Sequence, residues 1–201
     1  MQTLEAIYAR QMIRRYTDRP VSDEIIRRLL EAGARAPSPH NRQPWRFAVI
    51  RNTWRARLAD AMGKRLRADL THDGVAPTQI EQDVARSYQR LTSAPVLILV
   101  CLSMADMDVY PDGRRNQAER WMAGQAVAAA IQNMLLAATE LGLGACWMCA
   151  PLFCPDTVIE TLGLPTDWEP QGLITLGYPD PEAPAKRRAR KAIDTITLWR
   201  R

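Results

Sequence analysis

The side chains best placed to do chemistry lie in the stretch Ala36-Pro37-Ser38-Pro39-His40-Asn41-Arg42-Gln43-Pro44-Trp45, a polar, proline-punctuated loop running into the apolar segment Trp45 to Arg51. Three prolines fix φ and bias the residues before them toward extended backbone, so Ser38, Asn41 and Gln43 are expected on a stiff, non-helical loop. Short polar side chains held in that way suit recognition of a planar polar molecule. The same residues also suit an ordinary helix-to-strand connection.

Other constellations exclude more than they assign. His40 and His72 are the only histidines, so a multi-histidine metal centre is ruled out, and with no Gly-x-Ser-x-Gly elbow a Ser-His-Asp hydrolase is disfavoured. Cys146 and Cys149 fall within the apolar stretch Ala145 to Ala150, which reads as a strand. Their odd separation would put them on opposite faces, so small buried hydrophobes are expected and not a metal or redox pair. The net charge of +5 has one dense cluster, Lys186-Arg187-Arg188 with Arg190 and Lys191. That cluster fits a solvated tail, a nucleic-acid contact or a site for one small phosphate. It lacks interleaved aromatics and any nucleic-acid recognition module, and no nucleic-acid partner is expected.

The elements needed to position these residues can be read from periodicity. A short helix is expected over 3 to 11, followed by the basic stretch Arg10-Gln11-Met12-Ile13-Arg14-Arg15-Tyr16. A second helix starts at the Ser22 N-cap, carries Asp23 and Glu24 in its first turn, and stops before Pro37. Residues 54 to 69 and 77 to 91 read as amphipathic helices, and Val96 to Leu102 as a strand covered on both faces. The longest helix is expected from about 117 to 141, with Ala118, Trp121, Met122, Gln125, Ala128, Ala129, Gln132, Leu135 and Leu136 as its buried face. A short helix after Pro155 and a strand over Gly172 to Pro179 follow. With helices outnumbering irregularly spaced strands, the expected fold is α+β, a mixed central sheet covered by helices, in a single domain spanning 1–201. The absence of a long apolar run and of a signal-peptide layout gives the expectation of a cytoplasmic protein with no membrane partner.

Four of these segments, in order, resemble the motifs of the nitroreductase family of FMN enzymes. Arg10 to Tyr16 is similar to its Arg-Arg-Ser-Ile-Arg-x-Phe opening, and the loop from Ala36 to Trp45 to its Ala-Pro-Ser-x-x-Asn-x-Gln-Pro-Trp. Leu141-Gly142-Leu143-Gly144-Ala145-Cys146-Trp147 resembles Leu-Gly-Leu-Gly-x-x-Trp, and Leu176-Gly177-Tyr178-Pro179 with Lys186-Arg187-Arg188 resembles the closing Leu-Gly-Tyr-Pro and Lys-x-Arg. The resemblance implies an intertwined homodimer with FMN at the interface. It implies that Arg10, Lys186 and Arg188 hold the phosphate, with Gln11 and Met12 beside them, and that Arg14 lies at the pyrimidine edge. Pro37, Ser38, Pro39 and Asn41 would reach the flavin from the other subunit, the backbone around Met148, Cys149 and Ala150 would meet its N5 edge, and Trp147 would be a further cofactor contact. Met12 stands where the family has serine, which removes a hydroxyl contact. No protein acid or nucleophile is then required, because the flavin carries the chemistry. NAD(P)H is the implied transient reductant, in a ping-pong cycle ending on a small aromatic or conjugated acceptor.

Arg67 to Gly74, Tyr110-Pro111-Asp112 and Leu164 to Pro170 further resemble the nitroreductase-like domain of the bifunctional enzyme of deazaflavin-coenzyme biosynthesis, whose partner domain is a γ-glutamyl ligase. No ligase-like segment is legible in these 201 residues, so nitroaromatics and quinones stand beside a deazaflavin precursor as expected acceptors. Alternatives are a flavin-fragmenting or dehalogenating member of the same fold, or a non-catalytic flavin- or nucleic-acid-binding module.

Overall fold

The computed structural model describes residues 2–183 and 189–200. Its elements are α1 (Thr3–Ala9), α2 (Asp23–Ala34), β1 (Trp45–Ile50), α3 (Thr53–His72), α4 (Pro77–Thr92), β2 (Val96–Leu102), α5 (Gly113–Glu140), β3 (Gly144–Met148), α6 (Pro155–Leu162) and β4 (Glu169–Gly177). One four-stranded sheet in the order β1-β2-β4-β3 organises them. All three ladders are antiparallel, and a parallel component enters through a single bridge between Met12 and Ala145.

Strand β2 is buried at every residue, as a strand covered on both faces must be. Val96, Ile98, Val100 and Leu102 face a core shared with α2 and α5, while Leu97, Leu99 and Cys101 face a second core shared with α3 and α6. Helix α2 begins as the sequence predicts: the Ser22 hydroxyl accepts from the Ile25 amide at 3.3 Å, and Asp23 and Glu24 occupy the first turn.

Helix α5 corrects the sequence reading on both its start and its face. Asp112 caps it by accepting from the Arg115 amide at 2.9 Å, so the helix starts at Gly113. Its buried stripe is Glu119, Ala123, Ala126, Val127, Ala130, Ile131, Met134, Leu135 and Ala138. Of the face expected to be buried, only Leu135 is fully so, and Trp121 is 66% exposed. Alanines on every side of this helix make two stripes equally apolar, and the sheet selects the one carrying Val127, Ile131 and Met134. The other, led by Trp121 and Met122, is left facing outward. Among the described residues, no helix is long and apolar enough to cross a membrane.

Candidate functional site

The basic stretch after α1 is laid along the β3–β4 edge of the sheet. The Ile13 amide donates to Ala145 O at 3.0 Å, the Thr17 amide to Tyr178 O at 2.9 Å, and the Asp180 amide to Arg15 O at 3.2 Å. A Cβ on Gly144 would lie 2.6 Å from Ile13 Cγ2, so only glycine lets the stretch seat this closely. Tyr16 Oη lies 2.6 Å from both Ile13 O and Thr175 Oγ1. Burial raises the Tyr16 pKa above the ordinary tyrosine value, so the phenol stays protonated and available as a donor.

Two cations of this anchored stretch bear on a ligand. Arg10 Nη1 is buried without a hydrogen-bond partner, a donor whose desolvation costs roughly 1–3 kcal/mol until something accepts from it. Arg14 is exposed and lies beside Cys146: burial pushes that thiol up, and the cations of Arg14 and Arg90 partly offset it. Gln11 is half-buried, and Met12 packs its side chain against the α2–α5 core. Lys186 and Arg188, expected to complete an anion site, lie outside the described residues.

Strand β3 ends at Met148, short of the expected Ala150, because Pro151 begins a 3-10 turn over Ala150–Phe153. Trp147 is half-buried, lies over Gly172, and its Nε1 has no acceptor. Met148 and Ala150 pack against the α3–α6 core, while Cys149 is exposed. Cys149 therefore stands outside the strand, not on its opposite face. Cys101, Cys146 and Cys154 are buried, and burial raises the Cys101 pKa to about 12. None of these buried thiols is poised as a thiolate. Among the described residues, no group of three or more His, Cys, Asp or Glu side chains could hold a metal.

The proline-rich loop is built differently. Ser38 is extended, as expected, but Pro39–Asn41 forms one 3-10 turn, and His40, Asn41 and Gln43 have φ of 46°, 55° and 52°. The Ser38 hydroxyl accepts from the Gln43 amide at 3.0 Å and draws the loop into this turn, overriding the expected non-helical path. Left-handed backbone at a non-glycine residue costs on the order of 1–2 kcal/mol, with asparagine the best tolerated, and persists only where its surroundings impose it. Here Arg42 pairs with Asp108, Arg46 pairs with Asp106 at 2.7 Å, and Arg46 Nη1 also donates to Gln43 O at 3.0 Å. Glu119, buried on α5, steadies the acidic segment by accepting from the Asp108 amide at 3.4 Å.

The loop enters β1 and the basic stretch lines β3, so the two groups of residues belong to opposite edges of the sheet. Three strand spacings separate those edges, about 14 Å. Sequence reasoning missed Asp106, Asp108 and Glu119 as supports of the loop. Glu119 did leave a signal: it falls four residues before Ala123, in phase with the stripe that proved to be buried. A groove of about 500 Å³ runs along the outward face of α5, where Trp121, Gln125 and Ala128 meet Leu102 and Gln171.

A protein from Archaeoglobus fulgidus assigned as an NADH dehydrogenase/NAD(P)H nitroreductase is 31% identical over 185 residues, covering 90% of this chain and 87% of its own. A BluB-like flavoprotein from Clostridium difficile superposes with a TM-score of 0.85 at 26% identity, over 100% of both chains. A protein from Desulfovibrio desulfuricans assigned as a nitroreductase and solved in complex with FMN superposes with a TM-score of 0.74 at 32% identity, over 100% of this chain and 97% of that one. The family model described as the Nitroreductase family matches residues 7–178, a span that takes in the basic stretch, the strained loop and the whole sheet, and the chain belongs to that family.

Proposed function

We infer that this protein is an FMN-dependent oxidoreductase that takes reducing equivalents from NAD(P)H and passes them to a conjugated acceptor. The observation that carries the reading is the buried, unpartnered Arg10 Nη1 on a stretch fixed to β3, with the exposed Arg14 four residues on. A phosphate dianion would satisfy the first, and Arg14 would stabilise charge that develops on the pyrimidine edge of a reduced flavin. Lys186 and Arg188 would complete the phosphate site. Relatives whose names couple FMN and NAD(P)H to nitroreductase activity support the same cofactor pair.

Bound FMN would supply hydride acceptance and donation at its N5. The chain's own part is to bind, orient and shield. The backbone around Met148, Cys149 and Ala150, with Trp147 beside it, would border the N5 edge, and Gln11 and Met12 would flank the phosphate end. Pro37, Ser38, Pro39 and Asn41 approach from a second copy, because their own chain holds them at the far edge of its sheet. A homodimer would also cover the exposed Trp121, Met122, Leu198 and Trp199, large apolar side chains with no cover in a single chain. With the oxidised nicotinamide leaving before the acceptor enters, one open face serves both in a ping-pong cycle.

The acceptor is a nitroaromatic, a quinone or, in the most specific form, a deazaflavin precursor. Purified protein should be yellow and release FMN on denaturation. A colourless protein that cannot be reconstituted with FMN would overturn the reading. Aerobic NAD(P)H consumption across those three acceptor classes ranks them, and loss of reduced FMN itself in oxygen would favour the flavin-fragmenting alternative.

A further inference from the structure

The stretch around Arg14 is pinned on both sides, and one side chain does much of the pinning. Ile13 is held through its amide by Ala145 O at 3.0 Å, and Arg15 O accepts from the Asp180 amide at 3.2 Å. Between them, the Ile13–Arg14 peptide is fixed by Tyr16, whose Oη is 2.6 Å from Ile13 O. A phenol has one proton to give, and Ile13 O at 2.6 Å is a nearer acceptor for it than Thr175 O at 3.1 Å. If it goes to Ile13 O, the contact of 2.6 Å with Thr175 Oγ1 is made by the threonine hydroxyl donating to Tyr16 Oη. Thr175 is 2% exposed near the end of β4, so this chain of hydrogen bonds runs from a buried strand to the peptide that carries Arg14. The Tyr16 ring packs against Gly177, where a Cβ would lie 3.0 Å from Tyr16 Cδ1 and 2.7 Å from Pro95 Cδ.

We propose that Tyr16 is a positioning residue for the cofactor: through Thr175 and Ile13 O it fixes where the Arg14 guanidinium stands, and so sets FMN affinity and the potential of the bound flavin. This rests on the reading of Arg14 as a flavin contact. Tyr16 itself touches no cofactor atom in this scheme. A purely structural tyrosine would change stability alone.

The test is a double-mutant cycle of Tyr16→Phe with Arg14→Ala, read by FMN dissociation constant and flavin midpoint potential as well as thermal stability. Tyr16→Phe keeps the ring and removes the hydroxyl. It should weaken FMN binding about tenfold, the effect of one lost hydrogen-bonded contact, and make the potential more negative. In the Arg14→Ala background the same change should leave affinity and potential where Arg14→Ala put them, while still lowering the melting temperature. Equal effects in both backgrounds, or an unchanged FMN affinity in Tyr16→Phe alone, would overturn the proposal. If Arg14→Ala alone leaves affinity and potential unchanged, the Arg14 assignment falls and this inference falls with it. Should Tyr16→Phe not fold, Thr175→Val removes the other hydroxyl at equal volume and carries the same expectations.

Discussion

The stretch from Arg10 to Thr17 and the loop from Pro37 to Gln43 both carry polar side chains proposed above to meet FMN, yet they are held by opposite means. The first is fastened to the sheet by buried hydrogen bonds, with glycine at Gly144 admitting Ile13, and its unmet group is a buried guanidinium nitrogen. The second is exposed, bent through three left-handed residues, and kept in place by Ser38 and by the pairs of Arg42 and Arg46 with Asp108 and Asp106. Rigid anchoring suits the end that must meet a fixed charge. A strained loop shaped in advance suits a surface that closes a site on another molecule.

The largest effect should come from closing the gap beneath the basic stretch. Gly144→Val would drive a branched side chain into Ile13, an overpacking worth about 1–3 kcal/mol. It should lower the melting temperature by roughly 5 °C in a chain of this size and abolish FMN binding, read together by calorimetry and flavin absorbance. Next, Arg10→Ala should weaken FMN about thirtyfold, as expected for a lost charge-assisted hydrogen bond. Stability of the FMN-free protein should hold or rise, since a buried donor without a partner is removed; titration calorimetry and thermal melts separate the two.

The loop should respond in the other direction. His40→Gly relieves a φ of 46°, worth on the order of 1–2 kcal/mol, against about 0.4–1 kcal/mol for the extra freedom glycine gives the unfolded chain, so urea unfolding should show a net gain in stability. A loss larger than that entropic cost would show that the loop is not strained. The smallest effect is a pH dependence of the anchored stretch. Burial holds Tyr16 protonated in the folded state, so unfolding releases its proton above the ordinary tyrosine pKa. Its contribution is complete below about pH 10 and lost as pH rises further. Tyr16→Phe should flatten that alkaline limb of the stability curve.

Much of this was legible in the residues. Val96 to Leu102 could only be a strand covered twice, and Ser22 with Asp23 and Glu24 marked a helix start correctly, because burial on both faces and end-capping each leave a local signature. The buried face of α5 was not legible, because Trp121 and Met122 look like core residues by type although the sheet buries the neighbouring stripe of Val127, Ile131 and Met134. The left-handed turn at His40 was not legible either. It depends on Ser38 reaching the Gln43 amide and on Asp106 and Asp108, 60 and 66 positions beyond the arginines they hold. The motif residues themselves stood out in sequence, but the separation of the two groups across the sheet required the strand order.

The proposed sharing of each site between two copies of the chain can be tested by co-expressing Arg14→Ala and Asn41→Ala chains with different tags, isolating the hybrid dimer and titrating it with FMN. A shared site puts both lesions in one site and leaves the other intact, so the hybrid should bind one FMN per dimer with wild-type affinity although each parent homodimer binds only weakly. A hybrid with two weakened sites and none of wild-type affinity would show that each site lies within one chain.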